Sequence, residues 1–228
     1  MPKQSLLVAI ESFFDGGAEM FAIRLANALS NHYQVHFFEL KPMLSKEKKQ
    51  RSLLLKHIPV IAYSNNRINK YLFQKYGHTN CSYYAKKHQI LAKLTNQYSQ
   101  LYLQWYCLWH RIQLVNSHSW DTDVFFATFK QQRNIQLIAT LHGHYEFLAA
   151  LRQQFQTQTA LALQKVDAVV YTTQTHLHTL AQYYFPLLKT HKIFYGMEIA
   201  GIPKQPINHL KQPLQLIMAS RGIEEKGW

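Results

Sequence analysis

The sequence reads as an α/β protein with a doubly wound parallel sheet, and three observations carry that reading. Consecutive apolar residues such as Leu6, Leu7, Val8, Ala9 and Ile10 suit a strand covered on both faces. Helix-length segments stand between such runs, and strands that alternate with helices build parallel sheets. The chain has 228 residues and a mass of 26.8 kDa, enough for one large domain or roughly one and a half. Its 47% hydrophobic and 16% charged residues exclude a disordered tail and a membrane bundle. Eight Gly and seven Pro exclude a low-complexity chain.

The elements follow in order. Residues 6–10 form the first strand. Residues 12–17 form a loop that ends in Asp15, Gly16 and Gly17. Residues 18–29 form a helix with Phe21, Leu25 and Leu29 on one face, Ala22 and Ala26 beside them, and Arg24 and Asn27 pointing away. Asn31 marks its end. Residues 34–38 form the second strand, so the chain opens as a βαβ unit with a right-handed crossover. Residues 41–51 are a basic loop, and 58–62 a third strand. Residues 66–111 are mostly helical, with turns near Gly77 and Asn80 and a strongly aromatic stretch at 98–106. Strands at 112–116, 136–141, 167–171 and 192–195 then alternate with helices at 122–132 and 145–165 and a third that Thr173 caps and that runs to Tyr184. No internal repeat is present. The composition changes at Gly201. The domains expected are 1–200, a proline-bearing linker at 201–213, and the first strand and loop of another domain at 214–228.

Cys81 and Cys107 are the only cysteines, which excludes a disulfide scaffold and zinc-type spacing and favours a reducing compartment. The first apolar run is too short for a signal peptide, and none approaches the roughly 20 residues that span a bilayer. A soluble, cytoplasmic protein is expected, with contact to the inner face of a membrane left open. Lys plus Arg is 25 against 12 for Asp plus Glu, a net charge of +13 that points to an anionic partner. A nucleotide, a nucleic acid and an acidic lipid surface all meet that description.

Doubly wound sheets bind ligands at the carboxyl ends of their strands, and polar clusters stand at those ends here. Gly16 and Gly17 precede a helix whose free N–H groups favour an anion, but they form neither GxGxxG nor a P-loop. Glu19 suits the helix dipole better than catalysis. His118 and Asp121 follow one strand, and His142 and His144 follow another. Such histidines either bond the loop backbone or contact a sugar hydroxyl or phosphate. A metal held by His142, His144 and Glu146 is disfavoured, since no further well-spaced ligand accompanies them. Trp120 suits a sugar stack or the core equally, and His176 and His178 read as surface residues. Arg221 and Lys226, on a loop after a strand, suit a diphosphate or simply a loop.

Six segments resemble the retaining GT-B glycosyltransferases of family 4, in family order along nearly the whole chain. Gly16-Gly17-Ala18-Glu19 and its helix resemble the family's opening. Residues 115–121 (VNSHSWD) resemble its HSH strand end, and 139–144 (ATLHGH) its T-x-H-G segment. Residues 166–170 (VDAVV) resemble its aDavi strand, and 194–198 (FYGME) its yNGvD turn, with Tyr195 in place of Asn. Residues 219–228 are similar to the gR…EKG start of its donor-binding domain.

The resemblance implies two Rossmann-like domains across a cleft, the N-terminal one for the acceptor and the C-terminal one for a nucleotide sugar. This chain matches the first domain and the opening of the second, so a truncated enzyme, inactive alone, is expected. The family's E-x7-E motif would lie beyond Trp228. By resemblance the complete protein moves a sugar from a nucleotide-diphosphate sugar to a hydroxyl of a glycan or lipid-linked acceptor, with retention, in surface polysaccharide or glycolipid synthesis. His142 would contact the transferred sugar or place the acceptor. Arg221 and Lys226 would bind the diphosphate near Gly17, and Gly16, His118, Asp121 and His144 would bind substrate. No metal or further cofactor is implied. Nucleic acid is disfavoured, since no recognised module is present. An anionic membrane surface remains a partner, with residues 98–109 supplying interfacial aromatics. A non-catalytic remnant that binds acceptor or lipid is the alternative.

Overall fold

A computed structural model describes residues 3–13, 16–42, 50–63, 82–142, 161–173 and 189–193. All of them belong to one compact unit, Met1–Tyr195. The expected linker and second-domain strand lie outside the described residues.

Among the described residues, seven strands form a single sheet. They are β1 (Ser5–Ile10), β2 (Gln34–Glu39), β3 (Val60–Ala62), β4 (Leu114–Ser117), β5 (Gln136–Thr140), β6 (Ala168–Tyr171) and β7 (Thr190–Lys192). Their order is β3-β2-β1-β4-β5-β6-β7, and every neighbouring pair is parallel. The sheet is Rossmann-like, and the strand order reverses between β1 and β4, where the crevice of such sheets lies.

Three described helices flank it: α1 (Gly17–Leu29), α2 (Ser82–Trp109) and α3 (Trp120–Lys130). Side-chain alternation explains the layers. Leu6, Val8 and Ile10 of β1 pack on one face with Val35 and Phe37 and with Ala22, Ile23 and Ala26 of α1. Leu7 and Ala9 pack on the other with Phe38, Leu103 and Cys107 of α2, and Phe126 and Phe129 of α3. Both faces of β1 are therefore covered, which is why its sequence is apolar without alternation.

Three expectations need correction. The fully buried residues of α1 are Ala22, Ile23 and Ala26; of the expected face, Leu29 packs half-buried against the same core, while Phe21 and Leu25 are only half-buried. Small alanines let the helix lie close to the sheet, which leaves Phe21 and Leu25 at its flanks. The third helix starts at Trp120, not at residue 122, because Ser119 caps it: its hydroxyl accepts from the Thr122 N–H, and Thr122 returns the bond. The last described strand is Thr190–Lys192 and starts two residues before the expected Lys192, and residues 194–195 lie outside the described residues. Val169 pairs with Thr190 and Tyr171 with Lys192, and polar residues suit this edge position. The helix expected from Thr173, and most of that at 145–165, lie outside the described residues.

Candidate active site

The carboxyl ends of β1, β4 and β5, beside the strand-order reversal, hold the titratable cluster. His118 lies one residue beyond β4, and its N–H donates to the Ala9 carbonyl at 3.0 Å. That bond prolongs the β1–β4 ladder and fixes the backbone of His118. His142 lies two residues beyond β5, where the Leu141 N–H bonds the Val170 carbonyl at 2.9 Å. The register pairs Ser117 with Ala139, so adjacent strands deliver both histidines to the same rim.

Nδ1 of His118 and Nε2 of His142 are 3.1 Å apart, a hydrogen bond between the rings. Phe21, turned to the flank of α1, lies 5.7 Å from the His118 ring and 5.5 Å from that of His142. His118 is buried, and desolvation first, then the neighbouring His142, hold its pKa well below the usual histidine value. Its ring is neutral, so within the pair one nitrogen donates and the other accepts. Among the described residues, Nε2 of His118 has no hydrogen-bond partner, and neither does the buried hydroxyl of Ser12 just past β1. Unpaired buried polar atoms are costly, and at strand ends of this fold a ligand can complete the bonding.

Polar residues of β4 tie it to β5 and α3. Asn116 donates to the Ile138 carbonyl and to the Thr140 hydroxyl. Ser117 donates to Asp123, a buried carboxyl whose pKa desolvation raises well above the usual range, against the lowering effect of the Ser117 bond.

Asp121 opens the first turn of α3, but it does not stand alone. Lys41, just past β2, bridges Glu11 at 2.9 Å and Asp121 at 3.0 Å. Burial raises the pKa of Glu11, with Asp121 adding and Lys41 opposing. Burial works against the charge of Lys41, yet its two carboxylate bonds outweigh that and raise its pKa. Lys41 and Glu11 escaped sequence reading, which took Lys41 as part of a basic loop and gave Glu11 no role. A charged residue directly after a buried strand was the available signal.

Gly16 caps α1 in extended conformation, with no side-chain cap. A Cβ there would collide with the carboxylate of Glu19, which lies over the helix start as the dipole favours. A Cβ on Gly17 would meet nothing within 4 Å among the described residues. Trp120 packs against the core formed by Leu141, Leu163, Val169 and Tyr171. His144, Arg221 and Lys226 lie outside the described residues. Among the described residues no group of three His, Cys, Asp or Glu is placed to hold a metal ion, and no helix is long and apolar enough to cross a membrane. A separate cavity of about 460 Å³ lies at the β3 edge, lined among others by Phe38, Arg51, Tyr63, Tyr98 and Tyr102.

The profile of glycosyltransferase family 4 matches residues 15–197. The chain belongs to this family. Glycosyltransferase structures share the fold. HepE (Alr3699) of Anabaena, in complex with UDP-glucose, is 16% identical with a TM-score of 0.60, over 85% of this chain and 44% of that one. Sucrose-phosphate synthase from Thermosynechococcus elongatus is 15% identical with a TM-score of 0.57, over 84% and 48%. The lipopolysaccharide outer core galactosyltransferase WaaB is 8% identical with a TM-score of 0.52, over 84% and 45%. This family 4 chain thus spans about half the length of the structures it matches. Among curated protein sequences none matches it.

Proposed function

We propose that this family 4 chain forms the acceptor-side half of a retaining glycosyltransferase, which moves a sugar from a nucleotide diphosphate to a hydroxyl of a glycan or lipid-linked acceptor in surface polysaccharide or glycolipid synthesis. Family membership supports the reaction class, and the complex of HepE with UDP-glucose supports the donor class. The observation that carries the reading is the His118–His142 pair at the strand-order reversal. Buried, neutral His118 fixes the ring of His142, whose position at the strand end suits contact with a sugar or acceptor hydroxyl. Transfer of this kind rests on position and electrostatics: the departing diphosphate is stabilised while the acceptor is held against the anomeric carbon. Gly17 at the start of α1 serves the diphosphate in this reading. Asp121 and Glu11, tied by Lys41, offer carboxylate acceptors to sugar hydroxyls.

The test uses the protein as its native source makes it, with a panel of nucleotide sugars. His142→Ala lowers kcat about 100-fold or more, the usual scale for losing a positioned polar group, and leaves donor affinity within a few-fold. An unchanged kcat overturns the role of His142. Failure of every nucleotide sugar to bind favours a non-catalytic acceptor-binding module.

A further inference from the structure

Helix α2 is apolar on two sides. Ser99, Leu103, Tyr106 and Cys107 are buried, and the last three belong to the core beside the sheet. The opposite side is not polar. Leu94, Tyr98, Leu101, Trp105 and Leu108 recur at alternating spacings of four and three, and all are exposed. Tyr102 and Trp109 widen this stripe. Trp109 is 70% exposed and Trp105 52%. The two indoles stack with ring centroids 5.6 Å apart, and Tyr102 lies 6.1 Å from Trp105. A helix that is apolar all round normally lies buried, and contiguous exposed apolar surface of this extent marks an interaction site.

Charge and side-chain type identify the occupant. Trp and Tyr with aliphatic neighbours suit the boundary between lipid headgroups and acyl chains. The 28 residues of α2 include Lys86, Lys87 and Lys93 and no carboxylate. The whole chain carries +13. Two copies that meet through this helix would bring like charge together, whereas an anionic bilayer is drawn to it. Tyr98 and Tyr102 also line the β3-edge cavity, so the stripe runs into a concave surface. We propose that the outward stripe of α2 docks the protein on an anionic lipid bilayer, with Trp105 and Trp109 inserted at the headgroup level.

Flotation with phosphatidylcholine vesicles, with and without phosphatidylglycerol, tests this directly. The native protein floats with the phosphatidylglycerol vesicles at low salt, about tenfold or more above phosphatidylcholine alone, and added salt weakens the binding. Its tryptophan emission shifts to the blue and is quenched by brominated lipid, a readout that needs no variant. Trp105→Ser combined with Trp109→Ser lowers partitioning about tenfold or more with an unchanged melting curve, since both side chains are exposed. Absence of flotation overturns the proposal. So does flotation of the double variant at the native level, or a native dimer that the substitutions dissolve while vesicles are ignored. None of these readouts uses sugar transfer, so they stand or fall apart from the enzymatic reading.

Discussion

At the residue scale, Gly17 separates a structural requirement from a functional one. A Cβ there meets no atom of the described residues within 4 Å, so their packing does not demand glycine. Glycine inside a helix costs about 0.5–1 kcal/mol relative to alanine, chiefly in backbone entropy. Gly17→Ala should therefore raise the melting temperature. If the diphosphate of the donor approaches this turn, the same substitution should weaken nucleotide-sugar binding about tenfold. A variant that is more stable and binds normally would remove Gly17 from the donor site. Asp167 shows the opposite separation. It belongs to a segment that resembles the family, yet its carboxylate accepts from the Leu137 N–H at 2.7 Å and from Lys130 at 2.5 Å, ties that join the starts of β5 and β6 to α3. Burial acts to raise its pKa, and these bonds bring it below the usual carboxylate value.

At the element scale, the junction of α2 with β4 carries a visible mismatch. Arg111 adopts φ of 53°, the left-handed conformation in which an L side chain crowds the backbone. The turn it makes lets the Ile112 N–H reach the Cys107 carbonyl at 2.8 Å, closing the helix end. Glycine favours this place. Arg111→Gly should stabilise the protein by about 0.5 kcal/mol, the gain in backbone energy less the weak benefit of an exposed cation near a helix C-terminus. Denaturant unfolding checks it, and a loss of stability would assign Arg111 a further contact. The same scale shows what the sequence made legible. The alternation of strands and helices was readable because apolar runs and helical spacing are local. The face of α1 was not, because alanines that allow close approach count as weakly apolar in any periodicity. The His118–His142 pair was not readable either. Both residues were candidates, but their contact depends on the register of β4 against β5 across 24 positions of sequence.

At the scale of the whole molecule, buried ionisable groups set how the fold responds to acid. His36 lies in β2 beneath α2, its Nδ1 2.7 Å from the Tyr106 hydroxyl and its ring 4.8 Å from that of His110. Burial, and then the proximity of His110, lower its pKa to about 4. His118 is shifted in the same direction. As pH falls below the ordinary histidine value of 6.5, the unfolded chain takes protons that the folded protein refuses, and stability declines until the folded pKa is reached. Asp123 and Glu11 act in the opposite sense. Their raised values mean that the folded protein keeps protons the unfolded chain has already lost, which favours the fold on the acid side. The raw pH profile therefore mixes the two signs, and a substitution must isolate one. His36→Gln removes the titration and keeps a polar partner for Tyr106. From about pH 7 to about pH 5, the native protein should lose about 2 kcal/mol more unfolding free energy than this variant, the integral of the linkage for a histidine shifted that far. Chemical denaturation at the two pH values measures the difference. Equal losses would mean that His36 accepts its proton in the folded state, and the packing of α2 on β2 would then have to open to admit it.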